Sequence, residues 1–209
     1  MTLLIGLTGN IAAGKSTVSA ALVARGAALI DSDVAARDAV APGTPALAGI
    51  VARFGTDILR ADGSLDRAKL GARVFADATE RQALEAIVHP AVEAVRRSAV
   101  AQARNDGHQV TICDIPLLFE ARLAWQFPRI ILVDAPAEAR VARLVHDRGM
   151  AQAAARARVQ AQLPAPLKRP RADLVIDNDG DLPALHDQID RAWTRILHWA
   201  TVAESNRAA

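Results

Sequence analysis

The chain has 209 residues, 51% of them hydrophobic and 23% charged, with a formal net charge of +2 at pH 7. That length suits one sizeable core with small appendages, and no apolar run approaches the ~20 residues of a bilayer-crossing helix, so a soluble globular protein is expected. The charge is too small to suggest a nucleic-acid surface, and "MTLLIGLTG" at the start has no basic leader or cleavage site, which points to the cytoplasm.

The first apolar run, Leu3 to Thr8, has the look of a buried parallel strand, and four more follow: Ala27 to Asp31, Val110 to Asp114, Arg129 to Asp134 and Asp173 to Asp177. Helical patterns lie between them, so an α/β fold with a mainly parallel sheet is expected, its site outside the carboxyl ends of the strands. Cys113 is the single cysteine; among apolar neighbours it is expected as a buried thiol and not as a nucleophile.

Between the first strand and the next element stands "GNIAAGKS", Gly9 to Ser16, which fits the pattern GxxxxGK[ST] after a strand and before a helix. Backbone amides of such a loop cradle phosphate oxygens, the helix start adds partial positive charge, Lys15 reaches the β and γ phosphates, and Ser16 is a ligand for Mg2+. Gly26 is placed to end that helix. The second strand runs into "IDSDVAAR", where Asp33 either accepts a proton from an attacking hydroxyl or caps the following helix. Asp114, at another strand end, suits a role in holding Mg2+.

Val34 to Gly107 contains no good strand and is expected as a helical lobe. Asp66 can cap a helix through Phe75, and "TERQ" at Thr79 to Gln82 has capping-box spacing. Leu84, Ile87, Val88, Ala91, Val92 and Val95 form a helical stripe that Pro90 is expected to kink or restart, with His89 at the break. By itself His89 is better explained as a packed histidine than as a functional one. An Ala/Arg-rich helical pair spans Ala137 to Leu163, followed by "LPAPLKRP", and resembles a movable flap. Basic residues concentrate from Arg140 to Arg171, as a solvated face or a polyphosphate patch. A last helix from about Asp181 to Trp199 carries Leu185, Ile189, Trp193 and Ile196 on one packing stripe.

The segments "GLTGNIAAGKST", "IDSDVAAR", "PGTPAL", "FGTDIL", "DGSLDRAKL", "LEAIVHP", "DIPLLFE", "RVQAQ" and "ADLVIDNDG" occur in an order that resembles the dephospho-coenzyme A kinase family along nearly the whole chain. The resemblance implies a P-loop kinase fold, with a five-stranded parallel sheet flanked by helices. It implies a nucleotide core at 1–33, 108–135 and 167–209, a helical substrate lobe at 34–107 and a lid at 136–166. The implied reaction is transfer of the ATP γ-phosphate to the ribose 3′-hydroxyl of dephospho-CoA, with Mg2+ and with no nucleic acid, membrane or obligatory protein partner.

Residue by residue, Asp33 and Lys15 then match the catalytic positions. Gly9, Asn10, Ile11, Ala12, Ala13, Gly14, Lys15, Ser16 and Thr17, with Arg143, Arg148 and Asn178, match the ATP side. Thr8, Asp33, His89 and Leu118 match the substrate side, and Ser16 and Asp114 the metal. The chain departs from the family at Asn10 and Ala12, where glycines are usual. Asp147 stands where an arginine is usual, with Arg148 beside it, and Arg140 stands where glutamine is frequent, either meeting phosphate or facing water. Two rivals remain: another nucleoside or nucleotide kinase of this architecture, and a nucleotide-operated switch. The switch is disfavoured because "DNDG" follows the last strand and no NKxD sequence occurs.

Overall fold

In the computed structural model, which describes residues 2–208, the five apolar segments become β1 (Leu3–Gly9), β2 (Ala28–Asp31), β3 (Val110–Asp114), β4 (Arg129–Asp134) and β5 (Leu174–Asp177). Their order in the sheet is β2-β3-β1-β4-β5, and β1 pairs in parallel with both β3 and β4, as β4 does with β5. The chain first moves to one side of β1 and later to the other. This order reversal at β1 opens a crevice at the carboxyl ends of the strands, where ligands bind in such sheets.

The helices are α1 (Lys15–Ala24), α2 (Ser32–Asp38), α3 (Pro45–Phe54), α4 (Arg67–Ala76), α5 (Ala78–Asn105), α6 (Ala137–Arg148), α7 (Gln152–Gln160), α8 (Ala165–Lys168) and α9 (Leu182–Ala208). Asp31–Ala101 form one compact unit and the rest of the chain the other. In the sheet-bearing unit Ile5, Leu7, Ile131 and Val133 are fully enclosed and join Val18 and Leu22 of α1 and Ile189 and Ile196 of α9 in a single core. Burying a side chain of this size contributes about 1.5–3 kcal/mol. Leu185, Ile189 and Ile196 face inward as the helical stripe requires, and Cys113 is buried. α1 stops at Gly26, where the Gly26 and Ala27 amides turn back to the Val23 and Leu22 carbonyls at 2.9 and 3.2 Å. That double bond pattern satisfies the last helical acceptors.

The helical unit has its own core, built from Leu47, Ile50, Phe54, Ile58, Leu65 and Leu70, with Leu84, Ile87, Val88 and Ala91 of α5 packed on it. Asp66 caps α4 as expected, accepting from the Ala68 and Lys69 amides, both at 3.1 Å. The α5 cap differs from expectation. Asp77, two positions before Thr79, accepts from the Thr79 and Glu80 amides at 2.7 and 3.3 Å, so the capping-box residues fall inside the helix. Pro90 does not restart α5, which runs as one helix from Ala78 to Asn105. Side chains before and after the proline pack on the same core, and this shared packing outweighs one missing amide bond.

Both caps make the lobe sensitive to acid. Backbone amides, of Lys69 first for Asp66 and of Thr79 first for Asp77, hold the carboxyl groups below the ordinary 3.8. A depressed pKa in the fold means a contribution present above the unfolded value and lost as pH falls through the folded one. Melting of the parent followed by circular dichroism should therefore drop as pH falls below 3.8, and an Asp66→Asn/Asp77→Asn variant should show a flatter dependence. Equal slopes would mean that other carboxylates govern acid unfolding.

Candidate active site

β1 ends at Gly9 so close to β4 that a Cβ there would stand 2.6 Å from the Val133 carbonyl oxygen. The chain then turns through Asn10–Gly14 into α1. Gly14 is the N-cap of α1 at φ +94, a conformation that suits glycine, and it makes no side-chain cap. A side chain here would also collide with the Asn178 amide. The first turn of α1 thus has neither a side-chain cap nor an acidic residue. Open N–H donors and the positive end of the helix dipole make such a turn a phosphate site. Ser16 and Thr17 are exposed on it.

Two neighbours brace the loop from the β4–β5 side. Arg143 of α6 donates to the Ala12 carbonyl at 3.1 Å and to the Asn178 carbonyl at 3.0 Å. Asn178, just past β5, donates from its side chain to the Ala13 carbonyl at 2.8 Å, and its own amide is fixed on the Asp134 carbonyl at 2.7 Å. Carbonyl and N–H of a trans peptide point opposite ways. Anchoring the Ala13 carbonyl on Asn178 therefore turns the Gly14 N–H away from that side. Ala12 takes a left-handed φ of 58°, which costs an L-residue roughly 1–2 kcal/mol. Ile11 and Ala12 pack on the core between α6 and α7, formed by Val141, Leu144, Ala155 and Val159, and that contact offsets the strain.

Lys15 opens α1, and its Nζ is paired with Asp114 Oδ1 at the carboxyl end of β3. Both side chains are mostly shielded, at 18% and 15% exposure, which strengthens the attraction over that of a surface pair. At the end of β2 the cap of α2 is Asp31, whose carboxylate accepts from the Asp33 and Val34 amides at 2.8 and 3.1 Å. Asp33 is exposed in the first helical turn, and with Asp31 in the capping role its own carboxylate is left outside the cap.

A cavity of about 450 Å3 is lined by Gly14, Ser16, Thr17, Arg143, Arg148 and Asn178, among others, a size that suits a small-molecule ligand. Gly149 ends α6 in the left-handed conformation at φ 60, and Arg148 just before it makes no hydrogen bond or ion pair with a described residue. Asp147 reaches the same cavity and contacts His146 Nδ1 at 2.8 Å.

Arg140 does not face water. It is 5% exposed, its Nε donates to the Ala135 carbonyl at 3.0 Å, and its Nη1 is buried without a hydrogen-bond partner. Burial pushes its pKa down, with Asp134 opposing. It lines a second cavity, of about 560 Å3, with Asn10, Asp134, Gln162, Arg169 and Asp177. Arg169 is bound to Asp134 at 2.9 Å and to Asp177 at 2.6 Å, and those two acids raise its pKa. The basic stretch from Arg140 to Arg171 is therefore largely spent on internal partners.

Of the residues expected on the substrate side, Thr8 and Leu118 are fully enclosed. Thr8 Oγ1 donates to the Pro116 carbonyl at 3.2 Å, and Leu118 packs on Gly6, where a Cβ would stand 2.8 Å from its Cδ1. His89 is exposed on α5.

The family model for dephospho-CoA kinase matches residues 3–184. The chain belongs to the dephospho-CoA kinase family. It is 49% identical over 187 residues to the dephospho-CoA kinase of Anaeromyxobacter dehalogenans, covering 90% of this chain and 89% of that one. With the dephospho-CoA kinase of Streptomyces avermitilis it shares 48% identity, over 94% and 95% of the two chains. The crystal structure of TT1252 from Thermus thermophilus is 34% identical, covers 94% of this chain and 97% of its own, and superposes with a TM-score of 0.74. Dephospho-CoA kinase from Campylobacter jejuni, at 24% identity and a TM-score of 0.69 over 94% and 98% of the chains, shares the fold.

Gln162 closes the family segment "RVQAQ" and Lys168 stands in "LPAPLKRP", but the sequence assigned neither a role, and the structure places both against the phosphate loop. One signal was present. Lysine occurs only at positions 15, 69 and 168 of this arginine-rich chain, and its compact ammonium is not interchangeable with the broad guanidinium fork.

Proposed function

We infer that this chain transfers the γ-phosphoryl group of ATP to the ribose 3′-hydroxyl of dephospho-CoA, giving CoA and ADP. The observation that carries this reading is the phosphate loop: an uncapped, acid-free helix start with Lys15 held by Asp114 beside it. The family match over residues 3–184 names the acceptor. Phosphoryl transfer asks a protein for positioning and charge stabilisation more than for covalent chemistry. The loop amides and Lys15 bind the β and γ phosphates and stabilise charge on the transferring group. Asp33 takes the hydroxyl proton as the acceptor oxygen bonds to phosphorus and the bond to the ADP oxygen breaks; the proton then passes to solvent.

The Ser16 hydroxyl, exposed at the start of α1, and the Asp114 carboxylate at the end of β3 are hard oxygen donors that fit Mg2+. A set this small suits an ion that keeps water and phosphate in its remaining positions. When bound, the ion supplies charge neutralisation at the β and γ oxygens.

The test is a product assay with ATP and either dephospho-CoA or a panel of nucleoside monophosphates, read by chromatography and mass spectrometry. One phosphoryl group gained by dephospho-CoA, with no comparable turnover of the panel, is the expected result. Preferred phosphorylation of a nucleoside monophosphate would replace this reading with the nucleotide-kinase one.

The lid arginines give a further prediction. Arg143 ties the Ala12 carbonyl of the loop to the Asn178 carbonyl beside it, so Arg143→Ala should lower kcat/KM for ATP by ~10²-fold, as a displacement of about 1 Å in the groups that position a substrate does. Arg148 lines the same cavity, and Arg148→Ala should raise KM for ATP by a smaller factor. Steady-state kinetics with each substrate varied separately checks both. An Arg148→Ala enzyme equal to the parent leaves Arg143 as the lid's phosphate contact.

A further inference from the structure

A buried ammonium group is costly unless it is paired and hydrogen-bonded. Lys168, the last residue of α8, is 0% exposed, and its Nζ has two partners. One is Glu120 Oε1 at 2.6 Å; the other is the side-chain oxygen of Asn10, the second residue of the phosphate loop, at 2.5 Å. The Asn10 amide nitrogen in turn donates to the Leu163 carbonyl at 3.3 Å, while the Leu163 N–H donates to Glu120 Oε1 at 3.3 Å. One position on, the Ile11 N–H donates to Gln162 Oε1 at 2.7 Å. The Arg171 guanidinium lies 4.7 Å over the Phe119 ring, fastening the far end of the same segment to the neighbour of Glu120.

These contacts join three stretches distant in sequence: the mouth of the phosphate loop, the segment after β3 that ends in Glu120, and the return segment that follows α7. The charge sits at the centre of the network, with Asn10 as the link between lysine and loop. Asn10 is itself only 4% exposed, so water does not compete well for either of its bonds. A loop whose amides bind phosphate works only when those amides stand in place beforehand, since a displacement of about 1 Å costs on the order of 10²-fold in rate. The pairing of Lys168 and Asn10 fixes where that loop begins.

We propose that Lys168 is a positioning residue for phosphoryl transfer: acting through Asn10, it holds the mouth of the phosphate loop against the lid's return segment, so that loop and lid meet the nucleotide as one piece. The proposal rests on the kinase reading given above. It predicts a defect confined to the nucleotide side. Asn10→Ala removes the link and leaves the Lys168–Glu120 pair intact. Lys168→Met alone strands a carboxylate and can fail to fold, so it is made together with Glu120→Gln, which removes both charges at once.

Both variants should lower kcat/KM for ATP by ~10–10²-fold and weaken ATP binding measured by titration calorimetry, with KM for dephospho-CoA unchanged. The measurements are made well below the melting temperature of each variant. A purely structural role would shift melting and leave these constants alone. Parental kinetics and ATP affinity in either variant overturns the proposal, because then the lysine, or its route through Asn10, contributes nothing to positioning. The calorimetric arm needs no acceptor. A parent that binds ATP but does not phosphorylate dephospho-CoA sinks the functional reading, whereas variants that bind ATP as the parent does sink this proposal.

Discussion

Lys15→Ala is expected to lower kcat by at least ~10²-fold while the fold is kept, the loss that follows removal of a preorganised charge from a transition state. The side chain starts at the first residue of α1 and ends on Asp114 at the tip of β3, so it spans the crevice where the strand order reverses. The core below it, Val18 and Leu22 against the sheet and α9, does not include Lys15. A substitution to alanine, the best helix former, leaves α1 unharmed. Circular dichroism melting verifies the fold, and single-turnover kinetics at saturating ATP and dephospho-CoA isolates the chemical step. Near-parental turnover in a folded Lys15→Ala enzyme would take the lysine out of the mechanism.

Asp33→Asn should keep ATP binding and lose ~10²–10⁴-fold in rate, the range that a general base supplies. Here the structure sharpens what the sequence left open, because a helix-capping role for Asp33 was the competing explanation. Asp31 accepts the Asp33 and Val34 amides at 2.8 and 3.1 Å, so removing the Asp33 charge does not remove the cap of α2. Asparagine is nearly isosteric and lacks a basic oxygen, which separates shape from proton transfer. An Asp31→Asn variant serves as the control: it should change stability through the weakened cap more than it changes the chemical step. If Asp33→Asn turns over bound substrates at the parental rate, another group takes the proton.

What could be seen in the sequence was local. Each strand was visible as an apolar run closing on an acid or glycine, because strands of a parallel sheet covered by helices are largely apolar along their length, most completely in β1, β3 and β4. The phosphate loop was visible for a related reason: a glycine at φ +94 before an uncapped helix start is a requirement of backbone geometry, met within a few residues. Errors arose where two local signals competed. "TERQ" has capping-box spacing, but Asp77 stands in front of it and starts the helix two residues earlier, taking the Thr79 and Glu80 amides. Pro90 lacks an amide hydrogen, yet the helix continues because Ile87, Val88 and Ala91 pack on one core.

The sequence by itself therefore determined the strands, the phosphate loop and its lysine, the Asp66 cap and the family to which the chain belongs. Only the tertiary structure decided which charges are buried and what each one holds. Arg140 and Arg169 belong to one basic stretch in the sequence. In the fold the first is 5% exposed with an unpartnered nitrogen, and the second bridges Asp134 and Asp177. Lys168 lies among prolines and arginines in the chain, yet its ammonium finds Asn10 across 158 positions of sequence. Backbone preferences act within a few residues, where sequence spacing reports them. The cost of desolvating a charge depends on every surface that surrounds it, and those surfaces exist only once the sheet, the helices α6 to α8 and the loop have come together.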